Sequence, residues 1–292
     1  MSISTTTHED FAHASVTELS IRPRRQLRIG RVLLFVLMVV VAIVMFYPFW
    51  FMISASFKTQ AQYIAGEGFS LDSWKKLFET LPVGQQTLNS IIVCALSIAI
   101  IIIVSTMAGF AFAKLRYRRS TLVFLLIIAA MLIPMQSIII PAYVNISKLG
   151  LLTTYFGAVI IYAALGVPFA TFLMTAYYRS LPDDLLEAAL LDGVGYWGIF
   201  RRIALPLSIP AIVTIGVLQF IQIWGDLLIG LLFLQNPSER TITVGLGALS
   251  AGRVTEIPVL MAGSLVSAIP AVIVYLIFQQ QLVKGLTAGI SK

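Results

Sequence analysis

Glu187-Ala188-Ala189-Leu190-Leu191-Asp192-Gly193 sits on a polar segment, residues 179–206, between two apolar runs long enough to cross a bilayer. Just upstream, Leu181-Pro182-Asp183-Asp184 predicts a helix start, because proline preorganises the first turn and two carboxylates complement the positive end of the helix dipole. Gly193 predicts the stop, since glycine readily takes the left-handed conformation that commonly closes a helix. Between them Leu185, Ala188, Ala189 and Asp192 fall at i, i+3, i+4 and i+7, which predicts a short helix with two alanines at the centre of one face. Small side chains there let another backbone approach closely. Trp197, Phe200 and Ile203 repeat at helical spacing before Pro206 opens the next apolar run.

The surrounding composition is that of a membrane protein. Of 292 residues, 59% are hydrophobic and only 11% charged, with a mean hydropathy of +0.94, which excludes an ordinary soluble domain. Six apolar runs reach the roughly 20 helical residues needed for about 30 Å of hydrocarbon. They lie at Val32–Ile53, Leu88–Ala113, Leu122–Tyr143, Thr154–Tyr178, Leu207–Phe233 and Val259–Val283. Backbone groups in lipid must be satisfied within each segment and no barrel-like alternation occurs, so the expected fold is an all-α membrane protein with six transmembrane helices.

Orientation follows from Lys and Arg. With the N-terminus inside, 14 of the 20 fall on cytoplasmic segments, so the positive-inside rule predicts that both termini and residues 179–206 are cytoplasmic. The net charge of +7 is accounted for by this clustering beside the spans, and no nucleic-acid partner is expected. Residues 1–31 read as an aperiodic tail ending in a basic juxtamembrane segment, and residues 32–292 as the transmembrane domain. Ser54-Ala55-Ser56 follows an apolar run too long and aromatic for a signal peptide, so the first span is expected to stay as an anchor.

Cys94 is the one cysteine and lies within a span, which excludes an internal disulfide framework. His8 and His13, five residues apart in the tail, have poor metal-ligand spacing, and no metal site is expected. No Gly-x-x-x-x-Gly-Lys-Ser/Thr occurs, so this chain has no phosphate loop and any nucleotide hydrolysis belongs to a partner. No paired acid–base or nucleophilic groups stand in the spans, and no catalytic residue is expected.

Helix breakers and a few polar groups mark the spans. Pro134 and Pro141 interrupt the third, Gly166 and Pro168 the fourth, Pro210 and Gly216 the fifth and Pro270 the sixth, each a site of a kink. Ser105, Gly109 and Ala113, like Gly263 and Ser267, read as small-residue packing faces. On the fifth span Gln219, Gln222 and Asp226 fall at i, i+3 and i+7. A carboxylate in lipid costs at least about 2.5 kcal/mol, so this stripe is expected to face the bundle interior or an aqueous cavity. Two readings stay open for Asp226: a translocation path, or a pairing with a neighbouring chain near the outer surface.

Glu187-Ala188-Ala189, Asp192-Gly193, Phe200, Ile203, Leu205-Pro206 and Pro210 together resemble the EAA signature of permease subunits of binding-protein-dependent ABC importers. Asn89-Ser90, Ala111-Phe112-Ala113-Lys114-Leu115-Arg116, Ile133-Pro134 and Ile140-Pro141 agree with it. Lys148-Leu149-Gly150-Leu151-Leu152 with Tyr155, and Gly285-Leu286-Thr287-Ala288-Gly289, resemble the carbohydrate branch and its maltose-type second permease. The resemblance covers Val32 to Lys292. It implies a type I importer permease fold in a prokaryotic inner membrane, and a partnership with a second permease, two ATPase subunits and an extracytoplasmic solute-binding protein. It also implies that the Glu187 helix inserts into a cleft on an ATPase subunit, which would use ATP and magnesium while this chain binds no cofactor. Glu187, Ala188, Ala189, Asp192, Gly193, Phe200, Ile203 and Pro206 would form that coupling element. Segments 54–87 and 235–258 would meet the binding protein. The cargo implied is a sugar or oligosaccharide, with polyols and glycerol phosphates as related alternatives. Where the family often has Trp-Asn-Glu/Asp, this chain has Trp224-Gly225-Asp226, one amide fewer beside the stripe. A self-sufficient secondary carrier would need its own coupling residues, and Asp226 is the sole charged residue within the six runs.

Overall fold

The computed structural model describes the backbone of residues 25–115, 117–252 and 256–288, and the side-chain surroundings of residues 30–281 within those ranges. The tail readings, His8, His13, Arg116 and Lys292 lie outside the described residues, as do Gly289 and the side chains of Gly285 to Ala288. Contacts divide the chain into two units, Met1–Trp50 and Phe51–Lys292. The described part of the first is most of α1 (Arg25–Ser56), a helix that continues through Pro48 and sets Phe46 against Phe49 with tilted rings 6.4 Å apart. Leu, Val, Phe and Met occur all round it, the pattern of a helix surrounded by apolar matter rather than of an amphipathic one.

The described residues of the second unit form helices joined by turns and loops, with no strand among them. α2 (Gln60–Ala65) and α3 (Asp72–Thr80) form a short polar-faced pair, followed by the long α4 (Val83–Lys114). α5 (Ser120–Ala129), a 3₁₀ turn at Ala130–Leu132 and α6 (Met135–Lys148) come next, then α7 (Tyr155–Ser180). The segment 179–206 carries α8 (Asp183–Leu191), α9 (Tyr196–Ile199), a π-helical turn Phe200–Ala204 and α10 (Leu205–Leu207). α11 (Ile209–Gly225), α12 (Leu228–Phe233), a 3₁₀ turn Pro237–Glu239, α13 (Ile242–Ser250) and α14 (Ile257–Ala288) complete it.

α4 and α7 make the most extensive contact, side by side and parallel. Asn89 meets Tyr155 at one end, Ile101 lies against Gly166 in the middle, and Gly109 against Met174 and Thr175 near the other. Small buried residues of α4, among them Ser97, Ser105 and Gly109, permit this approach. A β-carbon on Gly109 would come within 2.6 Å of the Met174 β-carbon and 3.0 Å of backbone, so the position accepts only glycine without displacement. α11 packs on α4, α7 and α14, closing the core around Ile101, Met174 and Ile215.

Four described helices are long and apolar enough to cross a membrane: Gly30–Ser56, Val83–Lys114, Tyr155–Ser180 and Ile257–Gln281. Two bent pairs bring the number to as many as six. Ser120–Leu132 and Met135–Lys148 meet at 99°, because Ile133, preceding Pro134, is held extended at ψ 114° and the helix restarts after the proline. Tyr196–Leu207 and Ile209–Gly225 meet at 69°. Not every expected kink interrupts a helix. Pro141, Pro168 and Pro270 lie inside continuous helices, and Pro210 occupies the first turn of α11, where no hydrogen bond is lost. The fifth apolar run, expected as one span to Phe233, instead ends as helix at Gly225 and resumes at Leu228.

Candidate docking element and polar cleft

The stretch around Glu187 folds as its sequence predicts, as a helix from Asp183 to Leu191 with Asp183 and Asp184 in its first turn. Its end is a Schellman motif: the Val194 N–H donates to the Ala189 carbonyl at 2.9 Å and the Gly193 N–H to the Leu190 carbonyl at 3.0 Å. Gly193 takes φ +77°, with open space where a side chain would stand, so its requirement is conformational and not steric.

The two alanines do not share one exposed face. Ala189 and Leu186 are each 7% exposed and seat the helix on the core, whereas Ala188 and Glu187 face outward beside Leu191, which is 89% exposed. The outward ridge therefore joins Asp184, Glu187, Ala188 and Leu191, with Leu185 and Asp192 flanking it. Spacing identified the helix but not the rotation of its seat.

Behind the ridge, Phe200 is buried and touches two aromatic side chains, Phe110 at 5.4 Å and Trp197 at 5.4 Å, with Phe110 edge-on to Tyr178 at 5.7 Å. Ile203 is half-buried against the same core and Pro206 is exposed. Tyr177 donates to the Leu207 carbonyl at 2.7 Å and Tyr178 shares a hydrogen bond of 3.1 Å with Ser208, tying the foot of α7 to the bend before α11. A groove of about 360 Å³, lined by Ala113, Lys114, Leu186, Glu187 and Tyr196, separates the end of α4 from α8. Lys114 bridges it, donating to the Leu181 carbonyl at 2.7 Å and to Asp183 Oδ1 at 2.6 Å. Sequence spacing gave no sign of this bridge, whose ends are 69 residues apart.

Gln219, Gln222 and Asp226 do line one small cleft of about 40 Å³, together with Tyr162 and Gly166. Gln219 is buried, Gln222 exposed and Asp226 half-buried. Asp226 Oδ1 accepts from the Tyr162 hydroxyl at 3.0 Å and from the Ile229 N–H at 2.7 Å. That second bond caps α12, which explains the break in the fifth run: a short carboxylate offers the backbone an alternative to continued helix. Tyr162, on α7, is a residue that the linear pattern did not single out.

At the opposite end of α4, Asn89 and Ser90 hold a loop. The Asn89 amide donates to the carbonyls of Ser238 at 2.8 Å and Arg240 at 3.0 Å and accepts from Tyr155, while Ser90 Oγ accepts from the Ile242 N–H at 3.0 Å. Glu239 in that loop has a buried, unpartnered Oε2, and burial lifts its carboxyl above the ordinary 4.5. Lys76 pairs with Glu256, and Gln60 accepts from the Ile257 N–H at 3.1 Å, fastening α2 and α3 to the start of α14.

Residues 105–288, which include the ridge, its glycine stop and the polar cleft, match the family described as "Binding-protein-dependent transport system inner membrane component". The chain belongs to this family of inner-membrane permeases. Among its relatives, a putative ABC transporter permease protein, ORF2 of Caldicellulosiruptor sp., is 34% identical over 84% of this chain and 91% of its own. The melibiose/raffinose/stachyose import permease protein MelC of Bacillus subtilis is 28% identical over 87% of this chain and 94% of its own. A chain of a bacterial ABC transporter involved in the import of the acidic polysaccharide alginate has the same fold, with a TM-score of 0.75 over 89% of this permease and 98% of that chain, at 24% identity. The permease is thus a multi-pass inner-membrane protein of the ABC transport class.

Proposed function

We propose that the permease is one of two membrane subunits of an ATP-driven importer, carrying a sugar or oligosaccharide delivered by an extracytoplasmic binding protein. The observation that carries this is the acidic ridge on α8, facing outward from a buried seat and closed by the Gly193 turn, inside the segment matched by the family. Import of melibiose, raffinose and stachyose by one relative, and of alginate by a structural neighbour, supports carbohydrate as the cargo.

In this reading the two bent pairs are each one span, the spans number six and both termini are cytoplasmic, which the distribution of basic residues favours. Two ATPase subunits hydrolyse ATP with magnesium, and the permease itself binds no cofactor. Glu187, Ala188, Ala189, Asp192, Gly193, Phe200, Ile203 and Pro206 form the coupling element: the outward residues meet the ATPase, and the inward ones hand the displacement to α4, α7 and α11 through the Phe110–Phe200–Tyr178 cluster. Closure of the ATPase pair then turns the bundle from inward-open to outward-open as rigid bodies. Gln219, Gln222 and Asp226 border the path, and segments 54–87 and 235–258 receive the binding protein.

Purification of the tagged permease with its native companions, identification of these by mass spectrometry and a screen of sugars for stimulation of ATP turnover tests the proposal. A second permease, a nucleotide hydrolase and a stimulating sugar are expected. Uptake by the permease alone, driven by an ion gradient, would replace this reading with a secondary carrier.

A further inference from the structure

We propose that Lys114 is a positioning residue that fixes α8 to α4, so that the two move as one body when α8 is pushed. The inference rests on the coupling role of α8 proposed above and names the device that makes the push effective.

The start of α8 has no side-chain cap of its own, since Pro182 stands at the cap position. Its place is set instead from outside. The Lys114 side chain is 4% exposed, although it ends a helix at the polar margin of the bundle, and its ammonium reaches both the Leu181 carbonyl and the Asp183 carboxylate. Those two acceptors flank Pro182, so one cation grips the residue that precedes the cap and the first residue within the helix. The carboxylate itself is 72% exposed.

Sheltering an ammonium is costly, and where packing alone is wanted an apolar residue of similar volume serves as well or better. What the cation adds is direction. Leu186 and Ala189 seat α8 through apolar contacts, which resist separation but tolerate sliding and rotation. Two hydrogen bonds from one nitrogen to points on either side of a rigid proline remove that freedom. The bridge spans the groove between α4 and α8, which Lys114 and Asp183 both line.

The test uses the assembled complex in nanodiscs, with spin labels on cysteines substituted at Met107 of α4 and Leu185 of α8, which lies beside the ridge and not on it, and Cys94 left buried. In the otherwise unaltered chain the interlabel distance is expected to be narrow and unmoved by ATP, magnesium and vanadate. Lys114→Gln is expected to broaden it about twofold and make it shift with nucleotide, and Lys114→Arg, which also donates to both acceptors, to restore the narrow distance. Asp183→Ala, at an exposed position, is expected to give an intermediate width and decides the matter if Lys114→Gln does not assemble. A narrow, nucleotide-insensitive distance in Lys114→Gln, or in Asp183→Ala where that variant decides, overturns the positioning role. Crosslinking of Leu191→Cys to the ATPase subunit is measured in parallel: its absence removes the coupling reading, while the widths still judge the bridge.

Discussion

Gly193 holds a left-handed backbone in open space, so what matters there is which residues can adopt φ +77°. Asn tolerates this region and Pro, fixed near −65° and lacking the N–H that bonds Leu190, does not. Gly193→Asn is therefore expected to retain uptake and sugar-stimulated ATP hydrolysis, and Gly193→Pro to leave a membrane-inserted but uncoupled subunit. Normal stimulation in the proline variant would remove the turn from the coupling element. Asp226 calls for a paired comparison. Asp226→Asn keeps an acceptor for Tyr162 and Ile229, so reduced uptake in that variant reports on charge in the path and not on folding. Asp226→Ala also removes the cap of α12 and is expected to cost about 1 kcal/mol more, read as a lower midpoint of thermal unfolding. At Glu239 the raised carboxyl pKa means that the folded loop binds its proton more tightly than the unfolded chain does. The contribution of Glu239 to stability is thus most favourable at low pH and is lost as pH climbs from about 4.5 through the raised value. Glu239→Gln should slow hydrogen exchange of residues 235–242 at pH 7 and flatten its pH dependence; an unchanged pH profile would contradict the burial argument.

Among elements, the α4–α7 pair is held by closeness. Gly109→Ala forces a methyl against the Met174 β-carbon and neighbouring backbone, and is expected to destabilise the bundle by about 1–3 kcal/mol, measured by thermal unfolding in detergent. Local signals made some elements legible: Pro182, two acidic residues and Gly193 gave the limits of α8, and Pro134 gave the break between α5 and α6. Others depend on neighbours remote in sequence. Whether Ala188 or Ala189 faces inward follows from where α8 sits on the core, and whether a proline bends a helix follows from what surrounds the freed carbonyl, as the continuous α6, α7 and α14 illustrate. The polar stripe on α11 was readable from periodicity, but the Tyr162 partner of Asp226 lies 64 residues away and the Lys114 bridge spans 69. Side chains that meet across such separations leave no period to detect.

For the whole molecule, composition alone fixed the solvent, and charge distribution supplied an orientation. Within the permease, the long α4 bears a polar fastening at each extremity: Asn89 ties it to the turn at Ser238 and Arg240, and Lys114 to the threshold of α8. The 25 residue steps from Asn89 to Lys114 are unbroken helix, about 37 Å at 1.5 Å each. A tie rod of that kind has no slack to absorb travel, so any tug on its lower clevis must reappear at the upper one with the same stroke.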